Sequence, residues 1–133
     1  MSRRQRKSVR VVVPEPGRMR GLGGAAGFGW LDARLWRDGW LEVLTAEDLA
    51  VYAFLCLVAD RQGVSWYRRD RIRVALGLDE QAVWQALARL EALGLVAYRP
   101  FHVHASEGFR QVLAVPVGGP PPFVGLLEAG DER

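Results

Sequence analysis

Residues 76–96 read LGLDEQAVWQALARLEALGLV, and the register of this stretch decides how the rest of the chain is read. Val83, Leu87 and Leu90 fall at i, i+4 and i+7, one stripe of a 3.6-residue helix. Asp79 stands where a cap belongs, with a side-chain oxygen that can accept from a first-turn N–H. Gly94 stands where a helix stops, because glycine enters the left-handed conformation without a steric penalty. The pattern predicts a helix over 80–93. Just upstream, Gly77 ends a shorter helical segment over 69–76 that carries Ile72 and Leu76 on one face. Two helices therefore meet at a corner made of Gly77, Leu78 and Asp79.

Toward the N-terminus, Thr45 with Asp48 three residues on resembles a capping box and predicts a helix over 46–61. That helix is apolar nearly all round (Leu49, Val51, Tyr52, Phe54, Leu55, Leu57, Val58), so it needs cover on more than one side. The tryptophans of an irregular lead-in, Trp30, Trp36 and Trp40, are candidates for one side, with a short helix around 33–38. A second copy of the chain, making a homodimer, is the candidate for another. Gly63 ends the helix, and Val64, Ser65, Trp66 and Tyr67 suit a short strand. Toward the C-terminus, LVAYR and RQVLAVP are strand-like runs joined by PFHVHASEGF, with Ser106, Glu107 and Gly108 as the loop tip. This is a β-hairpin signature. The fold class is mainly α with a small β-hairpin.

The boundaries follow from composition. Residues 1–27 join a basic cluster, a PEPG break and a glycine-rich run, and read as a disordered tail. Residues 28–116 carry the continuous pattern; residues 117–133 form a Pro/Gly-rich second tail. Within 133 residues the net charge is +3, but residues 1–20 alone carry seven basic residues against Glu15. The tail is basic and the body is not, so the high pI says little about the folded part. The single Cys56 excludes an internal disulfide and fits a reduced cytosol, with core packing as its role. The apolar run 51–59 is too short for a membrane span, which needs roughly 18 residues.

In order, the elements are helix, short strand, helix, tight turn, helix and hairpin. Through LTAEDLAVYAFL, GVSWY and RIRVALGLDEQAVWQALARLEALGLV, roughly residues 30–115, the chain resembles winged helix-turn-helix DNA-binding proteins. The variant it looks closest to is that of small regulators and replication-initiator-like proteins of plasmids, phages and mobile elements. The resemblance implies a three-helix core plus a two-stranded wing, and double-stranded DNA as partner. The family carries a small polar cap before its second helix, where Arg68 stands here. That helix accordingly either begins later, capped by Asp70, or packs differently against the third.

The resemblance points helix 80–93 at a major groove. Gln81, Trp84, Gln85, Ala88 and Arg89 then lie opposite the Val83/Leu87/Leu90 stripe. Glutamine can bond bidentately to adenine, and arginine to guanine or phosphate. Arg68, Arg69, Arg71 and Arg73 are the only dense basic cluster of the folded part and are candidate phosphate clamps. In the wing, His102 and His104 are expected on one face of a strand, flanked by Arg99 and Arg110. Arg3, Arg4, Arg6 and Lys7 can add sequence-independent affinity by releasing counterions. Against each stands a plainer reading: a solvated polar face, ordinary hairpin side chains, a solubility tail.

The His-x-His pair invites a metal, but no third and fourth ligands stand at suitable spacing. No nucleophile–base set, paired carboxylates or phosphate-binding glycine loop can be assembled, so neither an enzyme nor a cofactor is expected. The functional expectation is a cytoplasmic, non-enzymatic transcriptional regulator. A replication-initiation or mobile-element accessory protein is one alternative. A winged-helix protein-docking module, with the C-terminal FVGLL as a candidate docking peptide, is another.

Overall fold

The computed structural model describes residues 12, 14–18 and 28–121. After a 3-10 turn at Pro16–Arg18, the elements are α1 (Arg34–Arg37), α2 (Trp40–Val43), α3 (Ala46–Val58), β1 (Val64–Ser65), α4 (Arg69–Leu76), α5 (Glu80–Ala92), β2 (Val96–Pro100) and β3 (Gly108–Val112). The expectations for Arg3, Arg4, Arg6 and Lys7, and for the C-terminal FVGLL, lie outside the described residues.

Local signals set the helix starts. Thr45 Oγ1 accepts from Asp48 N while Asp48 Oδ2 accepts from Thr45 N, both at 3.0 Å, so the capping box at α3 is complete. Asp79 Oδ1 accepts from Ala82 N at 2.8 Å and opens α5. Three residues separate the observed end of α3, Val58, from the expected one. Asp60 is the reason: its carboxylate accepts from Gln62 N and Val64 N, which offers the backbone a turn in place of another helical residue. The lead-in forms two short helices instead of one, split at Gly39, whose φ of +86° ends α1 in the left-handed region.

The strands correct the expected two-stranded wing. β1, β3 and β2 form one antiparallel sheet in that order, so Val64 and Ser65 join the hairpin as a third strand, and Trp66 and Tyr67, expected in that strand, lie beyond its end. Gly63 makes this possible. With φ at +84° it brings its carbonyl within 2.8 Å of Val112 N, and a Cβ there would meet Val112 O at 2.9 Å. The hairpin is thereby tied to the end of α3, not merely to α5.

The core lies where α3 and α5 cross, closed by α4 and the sheet, with Val51, Leu55, Ile72, Val83, Leu90 and Leu95 all but inaccessible. α3 is not covered all round, since Leu57 remains 66% exposed. The lead-in contributes to the core through Trp40, which is fully buried, whereas Trp30 and Trp36 stay at the surface. It nevertheless runs tightly over α3: a Cβ on Gly29 would meet Cys56 O at 2.8 Å. Cys56 itself is half-buried and packs against the core. Among the described residues, no helix is long and apolar enough to cross a membrane.

Candidate functional site

α5 has two sides. Val83, Ala86, Leu87 and Leu90 are buried, while Gln81, Trp84, Gln85 and Ala88 are exposed, Trp84 by 56%. Apart from Arg89, the polar side of this helix lies open to solvent. Arg89 is a correction. Its Nε donates to Asp48 Oδ2 at 2.9 Å and its Nη2 reaches Val43 O at 3.4 Å, so its guanidinium serves the α3–α5 junction. On the 13-residue α5, position 89 lies one turn beyond the buried Ala86, on the flank nearer α3, and the buried Asp48 draws the charge inward.

α4 begins at Arg69, with Arg68 at the cap position and no side-chain cap bond from it. The missing cap comes from the hairpin. Glu107 offers both carboxylate oxygens to Arg69 N at 3.4 Å and pairs with Arg69 Nε at 3.4 Å. A carboxylate at a helix N-terminus suits the orphan N–H groups there and the positive end of the helix dipole. Asp70 accepts only from the adjacent Arg71 N and pairs loosely with Arg68 at 3.6 Å. Arg68, Arg71 and Arg73 are exposed, and Arg71 lies 5.6 Å from the centre of the Tyr67 ring. These three remain on the surface as a basic group. Arg69 is largely committed to Glu107, to Ser106 O at 3.2 Å, and to the face of Trp84 at 4.9 Å.

The hairpin holds three further corrections. His102 and His104 do not share a strand face, because β2 ends at Pro100 and both stand in the connection to β3, exposed to solvent. Gly108, expected at the loop tip, opens β3 opposite Pro100. Arg99 is exposed, as a surface contact requires, but Arg110 is only 6% exposed and lies 4.7 Å over the Tyr98 ring. Burial pushes the Arg110 guanidinium below its ordinary pKa, with Glu107, 3.9 Å away, acting in the opposite direction. A charge so placed cannot clamp phosphates of a rigid duplex without rearrangement.

Apart from Arg89, the structure separates the expected site residues that it describes into two groups. Gln81, Gln85, Arg68, Arg71, Arg73, Arg99, His102 and His104 are at the surface. Arg69, Trp84 and Arg110 meet at a cleft between α5 and the hairpin, joined there by Glu107, Glu91 and Tyr98. Sequence reading missed these last three, together with Asp48 as the partner of Arg89. Glu107 is 38 residues from Arg69 and Asp48 is 41 from Arg89, so no local spacing announces either pair. Among the described residues, no cluster of three His, Cys, Asp or Glu side chains could hold a metal. Comparison with known families, curated proteins and solved structures finds no match.

Proposed function

We propose that this chain is a winged helix-turn-helix protein that binds double-stranded DNA, with α5 entering the major groove and the β2–β3 hairpin as the wing. The observation that carries the reading is the open face of α5. Gln81, Trp84 and Gln85 are exposed on a helix whose other side is packed into the core, with Trp84 partly covered by the Arg69 guanidinium. Gln81 and Gln85 are four apart, one helical turn, so both can address base edges from one side. Arg68, Arg71 and Arg73 add exposed positive charge at the preceding helix, where phosphate contacts would set the register. The basic residues Arg3, Arg4, Arg6 and Lys7 add charge from the N-terminal segment. Control of transcription is the role we assign.

The test is retention on mixed-sequence duplex DNA as salt is raised. Each neutralised phosphate contributes a slope of about −0.9 to log K against log [salt], so a handful of arginine contacts predicts a steep loss. Failure to bind any duplex at low salt would reject the reading and favour a protein-docking module.

A further inference from the structure

The cleft between α5 and the hairpin has features that DNA contact does not use. Its volume is about 540 Å³, within the range of small-molecule sites. Trp84, Leu87 and Ala88 of α5 and Tyr98 of β2 form an apolar wall. Arg110 lines it too, and its buried Nε and Nη1 have no hydrogen-bond partner among the described residues. Glu107 does not satisfy them: it is spent on Arg69, and its approach to Arg110 Nη1, at 3.9 Å, is too long for a hydrogen bond. A buried guanidinium with unused donors costs stability unless an anion completes it.

Two guanidiniums that line this cleft, those of Arg69 and Arg110, share the one carboxylate of Glu107. Glu91 stands among its lining residues, and burial raises its carboxyl above the ordinary range, with Arg110 partly opposing. An incoming anion would therefore meet the attraction of Arg110 and Arg69 and the repulsion of Glu91.

We propose that this cleft binds a small organic anion, a carboxylate carried on a flat apolar or aromatic body. Its head is held by Arg110, whose guanidinium turns toward the cleft as the anion enters, and its body lies against Trp84, Leu87 and Tyr98. A backbone phosphate of duplex DNA fits less well, because Arg110 is 6% exposed while the walls around it are apolar. The binding needs no DNA and is measured without it, so its failure and that of the DNA reading are separate results.

The experiment titrates the full-length protein with benzoate, phenylacetate, indole-3-acetate, benzyl alcohol and inorganic phosphate, each to about 10 mM, by calorimetry and thermal shift. The expected result is an aromatic carboxylate with Kd below about 1 mM. Benzyl alcohol should be weaker by about tenfold or more, as the charged hydrogen bonds are lost. Arg110→Gln should cost about tenfold or more for the same reason. Glu91→Gln, a change outside the buried core, should tighten binding about two- to fivefold by removing like charge. The proposal is overturned if no carboxylate binds or if phosphate binds as tightly as the carboxylates. It is equally overturned if Glu91→Gln leaves the affinity unchanged, an outcome that can be read even should Arg110→Gln fail to fold.

Discussion

Arg89 Nε on α5 and Thr45 N at the start of α3 donate to the same oxygen of Asp48, Oδ2, at 2.9 and 3.0 Å. One carboxylate thus completes a helix cap and anchors the neighbouring helix. Asp48 is 1% exposed, so losing it strands a largely buried guanidinium. Asp48→Ala should lower unfolding stability by about 3–5 kcal/mol, read from urea denaturation. Arg89→Ala should destabilise as well, yet leave the DNA sequence preference of the folded fraction as it was. A changed preference would return Arg89 to the groove.

Gln85 and Arg71 should separate by the kind of contact they make. Gln85→Ala should relax discrimination at one base pair by about 1–3 kcal/mol, measured by binding to a set of single-base variants of a selected site. Arg71→Ala should weaken all sequences alike and reduce the salt slope by about one. Identical behaviour of the two variants would count against α5 as the reader.

Glu107 caps α4 from across the hairpin. Glu107→Gln should cost about 1–3 kcal/mol, since a charged acceptor for Arg69 N and Nε is lost in a part-buried site. The loss should be local first. Amide exchange should speed up at the start of α4 and in the hairpin before it does in α3, and uniform acceleration would contradict this tie.

Gly108 has no room for a side chain. A Cβ there would overlap the Arg99 carbonyl and lie 2.6 Å from Pro100 Cα on the opposite strand. Gly108→Ala should therefore cost about 1–3 kcal/mol or more by forcing β2 and β3 apart. The check is denaturation together with the cross-strand contacts seen by NMR, which should survive intact if the strands do not move.

Alkaline pH should destabilise the fold. Burial raises the Tyr52 phenol above its ordinary value of 10.0 and the Cys56 thiol above 9.0, and each side chain's neighbour is the other. Both groups hold their protons in the folded state at pH values where the unfolded chain releases them. The unfolded state then binds fewer protons, and stability falls as pH rises above about 9, by up to about 1.4 kcal/mol per pH unit for each group. Denaturation midpoints between pH 7 and 10.5 test this, and Cys56→Ala should delay the onset toward the phenol range. A flat profile through pH 10 would contradict the burial of both groups.

Much of the architecture was legible because its signals are local. Thr45 with Asp48, Asp79, Gly77 and Gly94 each act within four residues; α3 and α5 begin where the first three place them, and α4 and α5 end at or just before the two glycines. The third strand was half-legible: residues 64–67 suited a strand, but its partner, β3, begins 43 positions beyond Ser65. The candidate site was legible in its exposed glutamines and misread in its arginines. Periodicity places a side chain on a face, but a long arginine follows whichever carboxylate tertiary packing brings within reach.

By itself, the sequence determined where helices start and stop and which apolar stripes face inward, because capping and helical period are properties of a few adjacent residues. Only the tertiary structure decided that Arg89 turns to Asp48, that Glu107 caps α4, and that Arg110 is buried beside an apolar cleft. Those outcomes depend on electrostatic partners from distant positions, and on the desolvation that brings them together.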